Sequence, residues 1–438
     1  MSESIDLLIE PRWLLPIEPR GLVLEGHAVA VSAGRIVAVM PGSDALARYG
    51  PRRRISLPQH ILIPGLINLH THAAMTLLRG IADDLPLMDW LKTRIWPAEA
   101  KHVSAAFVRD GTQLACAEML RGGITCFNDM YFFPEAAAEA ALNLGMRAAL
   151  GMVVIEFPTA YATDADDYIS KGLAARDRLR GEPLLTFCMA PHAPYTVADK
   201  TFERIATLSA QLDLPIHIHV HETLGEIEQS LAQHGVRPIE RLNRLGLLGP
   251  GLIGVHAVHL EDREIALLSE NNCAVAHCPT SNMKLASGIS PAAQLSARGV
   301  RIGLGTDGAA SNNRLDLFQE MRHAGLLAKA SSGDAAVLNA HELLRMATLN
   351  GAAALGLDNR IGSIQVGKAA DLCAVRLDAL ETHPCYDPAS HLVYTAGREH
   401  VSHVWVNGEL RVENGVLQGC DIGRLLDAVN LWQNKLTA

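Results

Sequence analysis

The chain has 438 residues, a length that suits one large α/β barrel plus a smaller domain. Hydrophobic residues make up 49% and charged residues 19%, which excludes global disorder. The formal net charge is −9 and there is no basic block, which argues against a nucleic-acid partner. Arg52, Arg53 and Arg54 are the one tight cationic run; with no aromatic residue among them they read as a solvated loop.

The N-terminus, MSESIDLLIEPRWLLP, lacks the basic start and continuous apolar stretch of a signal peptide. No run of about 18 consecutive apolar residues occurs, so no membrane span is expected. The eight cysteines are scattered with no CxxC pair and read as buried, reduced thiols of a cytoplasmic protein.

In chain order, residues 1–59 hold short alternating runs (GHAVAVSAGRIVAVMPG) that predict antiparallel strands. Eight apolar strand-like runs follow: 60–72, 123–130, 147–154, 184–193, 215–222, 252–260, 273–282 and 300–308. Most are separated by helix-period segments. Near-continuous apolar strands alternating with helices predict a parallel sheet covered on both sides, and eight units predict a (β/α)8 TIM barrel over residues 60–360. Residues 361–438 return to short strands (GSIQVGKAADLCAVRLD, then HVWVNGELRVENG with its hairpin-like VNGE) and end in a helix. The two ends together predict one small β-sandwich domain beside the barrel. Helical segments near 341–356 and 423–436 close the barrel or pack against it.

Functional side chains of such a barrel come from the C-terminal ends of its strands. The polar residues gather there: His70 and His72 after the first, His192 after the fourth, and His217, His219, His221 and Glu222 on the fifth. His256 and His259 follow on the sixth, His277 on the seventh and Asp307 after the eighth. Residues two apart in a strand point the same way, so His70 and His72 can face one ion. By alternation, any of His217, His219 and His221 could join them. Three imidazoles and a carboxylate suit a borderline divalent ion such as Zn²⁺, with Fe²⁺ also compatible. Glu222 reads equally as a proton shuttle or as a charge at a helix start.

Six segments carry a resemblance: PGLINLHTHAAMTLLRGIADDLPLMDWL, APHAPYT, HVHETLGE, VHAVHL, HCPTSNMKLASG and GTDGAASNN. With GSIQVGKAADL, they resemble the amidohydrolase superfamily, and within it the methylthioadenosine/S-adenosylhomocysteine deaminase group, from about residue 5 to about residue 415. The resemblance implies an amidohydrolase-type barrel holding one divalent metal ion on His70, His72, His219 and Asp307. It implies that Glu222 shuttles a proton, that His256 and Asp307 hold and deprotonate the attacking water, that Glu99 binds ribose hydroxyls and that His192 contacts the nucleoside. His217, His221 and His259 become supporting or packing residues. The bridging lysine of two-metal relatives is missing where strand four ends, hence one ion. The implied reaction is hydrolytic deamination of a small-molecule nucleoside by a homo-oligomer with no nucleic-acid or membrane partner.

One departure bears on substrate. Many members of the group place an arginine just after strand three, and here Met152 stands at that position. Without a bidentate cation a carboxylate tail loses a strong interaction, and a methionine wall suits a methylthio tail. The expected preference is 5′-methylthioadenosine, with S-adenosylhomocysteine and adenosine weaker. Trp90, Trp96 and Met88, in the loop after strand one, read equally as lid or as loop core. The alternatives are a triazine or guanine deaminase or a chlorohydrolase on the same scaffold, against which Glu99 argues, and a non-catalytic binding barrel, against which the intact ligand set argues.

Overall fold

The computed structural model describes residues 2–437. Eight parallel strands form the barrel: β1 Leu66–Thr71, β2 Ile124–Asp129, β3 Arg147–Val154, β4 Leu185–Pro191, β5 Ile216–Val220, β6 Leu252–His256, β7 Ala274–His277 and β8 Arg301–Leu304. Each pairs with its sequence neighbour. Just past β8 the ring closes: the N–H of Asp307 donates to the His70 carbonyl at 3.0 Å, and Thr306 N–H donates to Asn68 Oδ1 at 3.0 Å. β1, β2, β3, β5, β6 and β7 are buried along their whole length, which is why they read as unbroken apolar runs. At Gly305 a Cβ would lie 2.9 Å from His70 Cβ and 3.0 Å from its backbone nitrogen, so only glycine lets the two chain segments approach this closely.

The first apolar run divides between two sheets. Tyr49–Pro64 is one long strand of the small domain, and β1 starts at Leu66. The break falls at Gly65, where a Cβ would meet Thr125 Oγ1 at 2.1 Å. The barrel thus begins after residue 64, not at 60. Arg52, Arg53 and Arg54 lie in this strand rather than in a loop; Arg52 and Arg54 pair with Asp6 and Glu10 on the adjacent strand, and Arg53 pairs with Glu413 of the same sheet.

The chain ends build a nine-stranded mixed sheet. Glu3–Leu14 pairs in parallel with Tyr49–Pro64, whose other edge receives Leu372–Arg376 and then Val401–Val406. Leu7, Ile9, Val31, Leu62, Leu372 and Trp405, drawn from both ends, form its core. The Val401–Val406 strand returns through Asn407 (φ 52°) and Gly408 (φ 79°), the two left-handed residues that a tight hairpin needs. Ile422–Thr437 packs on the barrel helix Ala105–Arg121: Trp432 Nε1 donates to Asp110 Oδ2 at 2.9 Å, with its ring edge-on to Phe107.

The two domains are joined through a buried ion pair. Arg147, the first residue of β3, donates from Nε to Asp371 Oδ2 at 2.9 Å and from Nη2 to Oδ1 at 3.1 Å; both side chains are 2% exposed. Asp371 Oδ1 also accepts the Asn407 N–H of the hairpin, at 2.7 Å. Breaking a buried pair leaves a charge without compensation. Asp371→Asn, which keeps an acceptor for Asn407, is expected to cost about 3–5 kcal/mol in urea unfolding. Asp358→Asn, at an exposed site, is expected to stay within about 0.5 kcal/mol. Equal stability of the two variants would contradict the assignment.

Candidate functional site

At the C-terminal rim of the barrel lies a cavity of about 680 Å³, a size that suits a nucleoside-sized molecule. Its polar floor holds His72, His192, His219, Glu222, His256 and Asp307. Its walls are apolar: Trp90, Trp96, Phe132, Ile155, Phe157 and Leu285. A second concavity, of about 650 Å³, opens where β8 begins, at the other end of the barrel; its lining of Glu18, Arg301, Arg345 and Lys368 has no imidazole.

Asp307 is the hub of the floor. Its Oδ1 lies 3.2 Å from Nε2 of both His70 and His72, and its Oδ2 accepts the hydroxyls of Ser281 and Ser311, each at 2.6 Å. The facing nitrogens of His70, His72 and His219 lie within 4.8 Å of one another. The outer nitrogens of these rings are engaged: His72 Nδ1–H donates to the Met130 carbonyl at 2.6 Å, and His219 Nδ1–H to the His192 carbonyl at 2.7 Å. That tautomer turns the Nε2 lone pairs of His72 and His219 inward, as metal-binding imidazoles require. His70 Nδ1 is 2.9 Å from Nε2 of His217.

Electrostatics agree with this donor set. Burial outweighs the Asp307 contact at His70 and lowers it to about 4. At His72, burial is outweighed by the hydrogen bond and charge of Asp307 and by the Met130 carbonyl, and the ring rises to about 9. Burial would raise Asp307, but the hydrogen bonds from His70 and His72 hold its carboxyl well below the usual range. The positive charge that Asp307 draws onto the His72 ring is one that a divalent ion held there would supply instead. Three inward nitrogens and one carboxylate oxygen fit a divalent ion of the zinc type.

The other expected residues arrange themselves around this group. Glu222 is buried, its Oε2 3.7 Å from Nε2 of His256 and its Oε1 3.5 Å from the Ser287 hydroxyl; burial raises its carboxyl. His256, whose backbone is left-handed (φ 72°), places Nδ1 2.8 Å from Asn282 Oδ1. Glu99 reaches the cavity from the helix Trp96–His102 and accepts the Tyr131 hydroxyl at 2.6 Å. His192 lies beside His219, ring centroids 4.9 Å apart, with Nδ1 3.1 Å from Thr196 Oγ1.

Several expectations need correction. Met152 is not on the cavity wall. It points away from the barrel axis and packs on the helix Ala165–Leu179, where a Cβ at Gly172 would come within 2.8 Å of Met152 Cβ. Side chains alternate along β3, so its neighbour Val153 faces the cavity instead. His221 does not share the face of His217 and His219, because the chain turns left-handed there (φ 56°) as β5 ends. Its Nε2 accepts the Ile239 N–H at 3.1 Å, and its Nδ1 lies 3.0 Å from the His259 carbonyl. His259 lies outside the site, with Nε2 2.7 Å from the Ser287 carbonyl. Trp90 and Trp96 line the cavity; Met88 does not.

Tyr131, Ile155, Phe157, Tyr195, Ser281, Asn282 and Ser311 were not singled out in the sequence. Most follow closely on strand ends, and that rule, extended a few residues into each loop, points to them.

Residues 61–411 match the Amidohydrolase family. Over 437 residues the chain is 47% identical to a 5-methylthioadenosine/S-adenosylhomocysteine deaminase of Teredinibacter turnerae, covering 100% of this chain and 99% of that one. A deaminase of the same description from Saccharophagus degradans is 47% identical over 433 residues, with 99% and 97% covered. Among solved structures, an adenosine deaminase from Xanthomonas campestris with bound zinc superposes with a TM-score of 0.99 at 50% identity, covering 100% of both chains. A zinc-complexed atrazine chlorohydrolase from Arthrobacter aurescens superposes with a TM-score of 0.90 at 26% identity, covering 98% of this chain and 100% of the other. A family match that spans the barrel and the rim on which these side chains converge leaves one conclusion: this chain belongs to the amidohydrolase family of metal-dependent hydrolases.

Proposed function

We propose that the protein hydrolytically deaminates the adenine ring of 5′-methylthioadenosine, with S-adenosylhomocysteine and adenosine as weaker substrates. The observation that carries this reading is the cavity itself. A metal-type cluster and a buried acid stand at its floor, a carboxylate suited to ribose hydroxyls on its side, and an apolar aromatic wall beyond. Deaminase relatives that are 47% identical over nearly the whole chain support it.

His70, His72, His219 and Asp307 would hold one divalent ion. When bound, it supplies Lewis acidity and lowers the pKa of water toward neutrality; zinc is the reading favoured by the donor set and by the zinc-bound relatives. Water adds to C6 of the purine. Glu222, whose proton burial helps to retain, gives that proton to the ring nitrogen next to C6. Asp307 takes one proton from the water and passes it to the amino group, which leaves as ammonia. The remaining hydroxyl proton returns to Glu222, leaving the hypoxanthine product. Nε2 of His256 orients the water, Glu99 accepts hydrogen bonds from the ribose, and His192 contacts the nucleoside.

Substrate preference now rests on the cavity rather than on Met152. No arginine or lysine is among its lining residues, so the carboxylate of S-adenosylhomocysteine meets no cation there. Ile155, Trp96 and Phe157 offer a methylthio group an apolar surface. The chlorohydrolase reading has the same fold and metal cluster to support it, but a triazine lacks the paired ribose hydroxyls to which Glu99, held by Tyr131, is suited.

We place the enzyme in the reducing cytoplasm because all eight cysteines are free thiols. No helix among the described residues is long and apolar enough to cross a membrane. Leu380 and Tyr386, 95% and 91% exposed on one segment, support self-association.

Three outcomes test the reading. Glu222→Gln is expected to retain its metal by elemental analysis while kcat falls roughly 10²- to 10⁴-fold; undiminished turnover would remove Glu222 from the proton path. kcat/KM, followed by the ultraviolet change from adenine to hypoxanthine, is expected to be about tenfold or more higher for 5′-methylthioadenosine than for S-adenosylhomocysteine; the reverse order would refute the apolar-tail assignment. Met152→Ala is expected to cost about 2–5 kcal/mol of stability and to leave that ratio unchanged, because the side chain fills core and not cavity. A changed ratio with intact stability would return Met152 to the site.

A further inference from the structure

His256, the last residue of β6, and Asp307, three residues past β8, both sit on left-handed backbone (φ 72° and 61°). Such conformations persist only where the surrounding structure holds them. Each residue takes one of its holding contacts from two consecutive residues of one short helix, Pro279–Lys284, just beyond β7; Asp307 takes a second, on the same oxygen, from Ser311. Ser281 Oγ donates to Asp307 Oδ2 at 2.6 Å, and Asn282 Oδ1 lies 2.8 Å from His256 Nδ1. Ser281 is 0% exposed and Asn282 is 1% exposed. His277, the histidine of β7 itself, leaves its Nδ1 without a protein partner and is not among the residues that line the cavity.

The chemistry of each contact is specific. A serine hydroxyl on Oδ2 occupies that oxygen and leaves Oδ1 facing His70 and His72. An amide oxygen can only accept, so Asn282 Oδ1 requires the proton of the imidazole on Nδ1. In the neutral ring that places the lone pair on Nε2, the nitrogen facing Glu222. The other end of the same amide, Nδ2, meets no protein acceptor. A buried amide with one end unmatched is unfavourable as packing, and its bond to His256 gives it a purpose.

We propose that Ser281 and Asn282 are positioning residues that act as a pair. Asn282 fixes the tautomer and aim of His256, Ser281 shares with Ser311 the fixing of which oxygen Asp307 presents, and one helix thereby bears on both groups that handle the attacking water. The inference rests on the deaminase reading for its kinetic consequence, but its structural half stands apart from it.

The structural half is tested in the metal-loaded protein by long-range ¹H–¹⁵N spectra of histidine-labelled enzyme, with His256→Gln used to assign the ring. His256 is expected in the Nδ1–H form in the wild type and in Asn282→Asp, which retains the acceptor, and to leave that form in Asn282→Leu. An Nε2–H ring in the wild type, or no change in Asn282→Leu, would overturn the proposal whatever the substrate is. In kinetics, Asn282→Leu and Ser281→Ala are each expected to lower kcat about ten- to a hundredfold with KM within about threefold, while Asn282→Asp and Ser281→Thr stay within about fivefold of wild type. Should Asn282→Leu fail to fold, Asn282→Ala carries the same comparison, with thermal unfolding as the check. Losses that appear in KM, or that are as large in the conservative variants, would reduce both residues to packing. A wild type inert on 5′-methylthioadenosine but with the Nδ1–H ring would refute the substrate reading and leave the positioning intact.

Discussion

The carboxylate of Asp307 is nearly shut off from solvent and has no lysine or arginine beside it; its companions are imidazoles and two serine hydroxyls. A buried carboxylate is unfavourable unless its lone pairs are satisfied and its charge is met. The rest of the rim is arranged around that requirement. Oδ2 is saturated by Ser281 and Ser311, Oδ1 faces His70 and His72, and the backbone N–H of the same residue closes the barrel onto β1. One residue therefore couples barrel closure to the construction of a cation site. Glycine at 305 is the steric condition for it.

The imidazoles are aimed from behind in the same way. Carbonyls of Met130 and His192, on neighbouring strand ends, take the Nδ1 protons of His72 and His219, and Asn282 faces Nδ1 of His256. These contacts lie behind the rings and come from the ends of β2 and β4 and the helix after β7. The circular order of strands brings them within reach. That order is common to deaminases and to a chlorohydrolase of 26% identity, so the scaffold supplies the cluster and leaves specificity to the loops. Here those loops supply Glu99 with Tyr131 on one side and a wall of Trp96, Ile155 and Phe157 on the other.

Much of the architecture was legible in the chain because burial on both faces leaves an unmistakable run of apolar residues. The eight barrel strands fall inside the eight runs, and β3 has the expected limits, residues 147–154. The Asn407–Gly408 turn was visible because few residues tolerate two successive left-handed positions. Boundaries were poorly legible where two strands abut. Residues 60–64 are as apolar as β1, and only the contact of Gly65 with Thr125 separates them. The histidines show the same limit. Alternation grouped His221 with His219, but it holds only while the strand continues, and a left-handed turn after Val220 removes His221. Met152 was misjudged for a related reason: the resemblance set it at an arginine position just after strand three and its thioether made it a plausible wall, while β3 runs on to Val154 and its phase turns Met152 toward Gly172.

The sequence by itself determined the inventory. Strand runs, polar residues confined to their ends, and the HxH and HxHxHE spacings already carried a barrel with a metal-type rim, because periodicity and donor chemistry are local properties. The resemblance had already chosen His219 among the three histidines near strand five; only the tertiary structure decided which carboxylate oxygen is left free and that Tyr131, Ser281 and Asn282 take part. Those decisions depend on contacts between segments far apart in the chain, such as Ser281 with Asp307 or Tyr131 with Glu99. They were invisible in advance because a hydrogen bond depends on where two backbones bring their atoms, and spacing along one strand carries no record of its neighbours.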